Sequence, residues 1–108
     1  MTDQEFQDRS VAAIESLSKK IGNASDRHDF ESDMNGGALA IEFEEPRAKF
    51  VVSPNSPVRQ IWVSAHSRSF KLDWDAAREA FFHAESGLTL EGLMADAISK
   101  QIGEPVEL

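Results

Sequence analysis

The sequence predicts an α+β fold, a two-layer sandwich with two helices packed on one face of a five- to six-stranded antiparallel sheet. Three observations carry this. An amphipathic helical stripe opens the chain, and a second closes it. Between them lie short segments in which apolar and polar residues alternate, separated by turn signals. Both helices then have one sheet to cover, so one sheet face is buried and the other meets water. The 108 residues suit a single domain, 1–108.

The first helix is read over 4–21. Phe6, Ser10, Ala13, Ile14, Leu17 and Ile21 fall on one stripe of a 3.6-residue period. Asp3, Glu5 and Asp8 sit at its start and Lys19 and Lys20 in its last turn, each sign favoured by the helix dipole. Gly22-Asn23 is a stop signal. Asp29 to Met34 is a short, acid-rich strand, and Asn35-Gly36-Gly37 is a tight-turn signal. Leu39, Ile41 and Phe43 alternate with Ala40, Glu42 and Glu44 in a second strand. Glu45-Pro46-Arg47 turns the chain into a third, Lys49 to Ser53. Pro54-Asn55-Ser56-Pro57 is a loop, its prolines barred from a ladder interior.

The fourth strand, Arg59 to Ala65, sends Ile61 and Val63 to the core and Gln60, Trp62 and Ser64 to the other face. Phe70, Leu72 and Trp74 are the core residues of a fifth. Ala80 to His83 is a short sixth, in which Phe81 and Phe82 cannot both point inward. Thr89 caps a closing helix over 90–102, with Leu90, Leu93, Met94, Ala97, Ile98 and Ile102 on one face. Gly103 ends it, and Glu104 to Leu108 form a tail.

Composition excludes several classes. There is no Cys, hence no disulfide, thiol nucleophile or Cys metal site. No apolar run spans a bilayer, and the start, Met-Thr-Asp-Gln-Glu-Phe, is neither a signal nor a transit peptide. A cytoplasmic location is therefore expected. The formal net charge of −8 argues against nucleic-acid binding. No Ser-His-Asp order, His pair or Gly-rich phosphate loop points to an enzyme.

Charge is unevenly distributed. Residues 47–71 hold five bases and no acid, while 1–34 hold eight acids and four bases and 72–108 eight acids and two bases. This bipolarity implies differently charged partners or one partner with both signs. Trp62 lies in the basic window among polar neighbours on the wet face. A large aromatic there is a candidate docking anchor, because Trp and Arg dominate interface energetics.

Several segments resemble the frataxin family, its bacterial members in particular. They are Asn35-Gly36-Gly37 before an alternating strand, Pro57-x-x-Gln60-Ile61-Trp62-Val63-Ser64, Asp73-Trp74, and Leu90-x-x-Leu93-Met94 on the last helix. The resemblance covers essentially the whole chain. It implies an accessory role in iron–sulfur cluster assembly, with a cysteine desulfurase and an iron–sulfur scaffold protein as partners. It also implies weak, surface-bound iron (Fe2+ or Fe3+) on exposed carboxylates of the first helix and first strand, and a protein that is monomeric or oligomerises with iron.

The chain departs from that pattern at Ser18-Lys19-Lys20-Ile21-Gly22-Asn23, where the family's acidic ridge is replaced by two lysines. It also lacks, after Ala65, the Gly-Pro that many members carry. The surviving candidate iron ligands are Glu15, Asp26, Asp29, Glu31 and Asp33, the last three expected on one strand face. Their mutual repulsion is what a hard cation would relieve. His28 lies beside them, and Lys19, Lys20 and Arg27 are the bases positioned to neutralise them instead. The candidate partner surface is Trp62 flanked by Asn55, Gln60, Lys71 and Arg68. A different class, a small acidic secretion chaperone or adaptor, also fits a small acidic α+β domain. It would need an outward apolar stripe for a dimer.

Overall fold

A computed structural model describes residues 1–44 and 46–108. The chain runs α1 (Asp3–Ser25), β1 (Glu31–Asn35), β2 (Ala38–Glu44), β3 (Arg47–Asn55), a short 3-10 turn (Ser56–Val58), β4 (Gln60–Ala65), β5 (Arg68–Asp75), β6 (Ala80–His83), β7 (Leu88–Thr89) and α2 (Leu90–Ile102). The strands form one antiparallel meander in sequence order, with both helices on one face. Among the described residues the sheet has seven strands where five or six were expected. The extra strand, β7, has two residues, too few for an alternation to register.

The α1 helix starts from a capping box. The Thr2 hydroxyl accepts the Glu5 N–H at 3.1 Å, and the Glu5 carboxylate accepts the Thr2 N–H at 3.4 Å. The Thr2 N–H foremost, and then the Thr2 hydroxyl donating at 3.2 Å, hold the Glu5 carboxyl below its ordinary range. The helix runs four residues past the expected end, through Gly22-Asn23 to Ser25. Ala24 continues the stripe one turn beyond Ile21 and is buried with it. That burial outweighs the roughly 1 kcal/mol a mid-helix glycine costs. Lys19 and Lys20 are therefore not in the last turn, which has no base.

The buried face interleaves Leu39, Ile41, Phe43, Phe50, Val52, Ile61, Val63 and Leu72 with Phe6, Ile14, Leu17 and Ile21 of α1 and Leu93, Met94 and Ile98 of α2. Aromatic contacts run between neighbouring strands and, through Phe6, from the sheet to α1. Phe43 and Phe50 lie 4.8 Å apart, Phe6 and Phe81 5.9 Å, and Trp74 and Phe81 5.3 Å. Phe81 points inward and Phe82 to the other face, where the Arg78 guanidinium lies 4.0 Å from its ring. Each fully buried side chain of this size contributes about 1.5–3 kcal/mol. The α2 helix matches the expected span, with Thr89 accepting the Gly92 N–H and Gly103 left-handed at the C-cap. Its apolar side chains are turned into the sheet, not outward as a chaperone-like dimer would need.

Two expectations about strands are corrected. Pro54 belongs to β3, opposite Ile61 of β4, rather than to a loop. It fits because β2 pairs with β3 only as far as Val52, so Pro54 stands where the strand has an open side. Arg59 precedes β4 rather than starting it, with left-handed backbone after the 3-10 turn. The turn expected at Glu45-Pro46-Arg47 falls partly on Glu45, outside the described residues; Arg47 already pairs with Glu44. The tail folds back. Val106 is buried, and its N–H donates to Ser99 Oγ at 2.9 Å. Among the described residues, no helix is long and apolar enough to cross a membrane.

Candidate functional site

The face away from the helices carries the candidate groups, and cross-strand register sets their neighbours. Gly36 and Gly37, both at positive φ, close the β1–β2 hairpin on the pair Asn35–Ala38. Counting back, Asp33 faces Ala40 and Glu31 faces Glu42, while Glu42 in turn faces Lys49 on β3. Glu31 and Glu42 are like charges directly opposed, which is destabilising in a sheet unless a cation or partner relieves it. The next strands place Ser53, Trp62 and Lys71 in one row and Asn55, Gln60, Asp73 and Phe82 in another.

Trp62 is 37% exposed and held in place rather than buried. Its indole N–H donates to Gln60 Oε1 at 3.0 Å, and Gln60 Nε2 donates to Asp73 Oδ1 at 3.1 Å. Lys71 Nζ lies 5.1 Å from the Trp62 ring centroid, a cation–π contact. The result is a pre-organised aromatic platform with a cation over it and an amide locking its orientation. Such an arrangement presents apolar area and hydrogen-bonding edges at low entropic cost.

The expected partner surface is thus largely assembled: Asn55, Gln60, Trp62 and Lys71 share this face. Arg68 does not. It faces Ala65 across the hairpin, which puts it on the helix side, and its guanidinium stands 5.1 Å from the Phe70 ring. Two-residue-turn counting from the buried Ala65 would have placed it there.

The expected iron ligands are more scattered. Glu31 and Asp33 share the exposed face of β1, an edge strand. Asp29 lies in a bend before β1, not on the strand, and the buried Phe30 separates it from Glu31. Asp26 caps the C-terminus of α1. Glu15 is exposed on α1, eleven residues earlier, about 16 Å along the axis from Asp26 at the helical rise. Among the described residues, no three His, Asp or Glu side chains come together as a metal-holding group. The acid that spacing alone passed over is Glu42, brought beside Glu31 by hairpin register.

Two of the bases near these acids are committed elsewhere, while Lys19 and Arg27 form no ion pair among the described residues. Lys20 Nζ bonds Glu91 of α2 at 2.6 Å. His28 Nδ1 meets Glu104 of the tail at 2.6 Å and stacks on Phe30. At the far end Arg59 grips Asp3 through Nε at 3.1 Å and a terminal nitrogen at 2.8 Å. What this geometry offers is an acidic edge on β1 and β2, with Trp62 three strand spacings away on the same face, about 14 Å. Arg47 and Lys49 stand between them on β3.

A family model described as a frataxin-like domain matches residues 1–104. An iron-sulfur cluster assembly protein CyaY from Pseudomonas aeruginosa is 33% identical over 96 residues, covering 87% of this chain and 88% of that one. One from Variovorax paradoxus is 30% identical over 110 residues, covering 99% and 96%. Among solved structures, frataxin from Psychromonas ingrahamii superimposes with a TM-score of 0.77 at 26% identity, covering 99% of this chain and 97% of that one.

Proposed function

Because the chain belongs to the family of frataxin-like domains, we propose that it serves iron–sulfur cluster assembly as an accessory protein rather than as a catalyst. In this reading it docks on a cysteine desulfurase and its scaffold through the exposed sheet face. The observation that carries the docking is Trp62, fixed by Gln60 and covered by Lys71 among polar neighbours in the middle of the exposed sheet face. The β1 edge, with Glu31 and Asp33, adds an acidic flank suited to a basic partner surface.

Iron enters this reading as cargo. The donors are hard carboxylate oxygens, which suit iron, but they form an open edge rather than a cage. Glu31 and Glu42 are the pair a cation would relieve most, so binding there is weak and sensitive to salt. Asp26, Asp29 and Glu15 contribute long-range field more than ligation.

The experiment is the rate of cluster assembly by a desulfurase and scaffold from the same source, with and without this protein and with Trp62→Ala. A rate change lost in the variant supports both the role and the surface. No change in rate together with no binding refutes the assembly role.

A further inference from the structure

On the opposite, helix-side face a cleft of about 390 Å³ opens between the β4–β5 turn, the end of β6 and α2. Its chemistry is not used by the docking reading and does not rest on it. His83 is 8% exposed, and its ring packs edge-on to Phe70 at 5.3 Å. His83 Nδ1 accepts the Ser86 N–H at 3.2 Å and lies 2.7 Å from the Ser86 hydroxyl. Accepting from a backbone N–H leaves the proton of the neutral ring on Nε2, so His83 is a hydrogen-bond donor there, not a metal ligand.

Two cations line the same cleft. Arg68 forms no ion pair among the described residues and lies over Phe70. Lys100 bonds Asp96 at 3.0 Å. Phe70, Leu88 and Leu93 give the cleft an apolar wall. The turn that forms its rim is built at a steric cost: His66 and Ser67 both have positive φ, 52° and 60°, and neither is glycine. His66 Nε2 donates to the Ala97 carbonyl at 2.9 Å, tying this turn to α2 and fixing the cleft walls.

We propose that this cleft binds a small phosphate monoester. The phosphoryl oxygens would meet Arg68, His83 Nε2–H and Lys100, with the organic group on Phe70, Leu88 and Leu93. Donors arriving from β5, β6 and α2 suit a tetrahedral head better than a planar carboxylate. Two acids also line the cleft. Asp96 holds Lys100 at 3.0 Å and shares it with the phosphoryl group, and Glu85 stands at the rim without an ion pair among the described residues. Glu85 therefore lowers affinity for any anion.

The test is titration of the full chain with inorganic phosphate and with phenyl phosphate, read at the His83 ring nitrogens by NMR. Saturable shifts at His83 are expected, with phenyl phosphate the tighter of the two. Arg68→Gln should weaken binding about tenfold, and Glu85→Gln should tighten it. Both side chains are exposed, and backbone spectra establish that the variants fold. No saturable shift at His83, or an Arg68→Gln affinity equal to that of the parent, overturns the proposal. Weaker binding in Glu85→Gln also overturns it, since that marks a site for a zwitterion.

Discussion

Replacing Trp62 by alanine separates a docking role from a structural one, because the two predict effects of different size. The interactions that hold the indole are the 3.0 Å hydrogen bond to Gln60, the Lys71 cation at 5.1 Å and its neighbour Ser53 across the ladder. An exposed cation–π contact is worth about 0.5–1 kcal/mol, and a cross-strand pair about 0.2–1 kcal/mol. The loss of stability is then about 1–2 kcal/mol, a fall in melting temperature of roughly 4–16 °C for a domain of this size. The cores on the other face are untouched, so the native circular dichroism signal remains. At the centre of an interface the same truncation costs about 2 kcal/mol or more, close to thirtyfold in affinity. Calorimetric titration against the desulfurase–scaffold complex measures this, and Trp62→Phe, which keeps a ring but loses the N–H, should fall between. An affinity within threefold of the parent, in a variant that is still folded, refutes the placement of Trp62 at the interface.

Thr2→Ala removes the hydroxyl that accepts the Glu5 N–H, leaving the backbone N–H of residue 2 to donate to the Glu5 carboxylate, and should cost about 1 kcal/mol in chemical denaturation; an unchanged midpoint would mean the first turn of α1 is frayed. Val106→Ala tests the folded-back tail, with an expected loss of about 1–2 kcal/mol from burial and cavity terms, read by thermal unfolding. The carboxyls of Glu5 and Asp75 are held low by hydrogen bonds, those of Asp75 coming first from the Arg78 backbone N–H and then from its side chain. Folding depresses both values, so their contribution is complete above the ordinary values of 4.5 and 3.8 and is lost as pH falls through the lower folded values. Carboxyl carbon NMR titration should show midpoints below those figures, and midpoints at or above them would contradict the hydrogen-bond geometry.

Local pattern carried the architecture. The 3.6-residue stripe of Phe6 to Ile21, the period-2 segments and the Thr89 and Gly103 caps each report a conformation through neighbours a few residues away. Hairpin register was legible in principle as well. Once Gly36-Gly37 is a two-residue turn, Glu31 must face Glu42, and once His66-Ser67 is one, Arg68 must face Ala65. The iron candidates were the weak point, because proximity in sequence does not become proximity in space across a helix end. Asp26 and Asp29 sit in the connection leaving α1, and only Glu31 and Asp33 reach the strand face.

The sequence by itself therefore determined the helix–meander–helix order, the face on which Trp62 stands and the family resemblance. Tertiary structure alone decided which charges are free. Lys20 is paired with Glu91 71 residues away, Arg59 with Asp3 56 away, and His28 with Glu104 76 away. It also decided that Ser99 receives the tail and that His66 reaches Ala97, closing the His83 cleft. Those contacts are set by how two layers pack. No short-range period encodes them, since packing brings together residues whose separation along the chain is arbitrary.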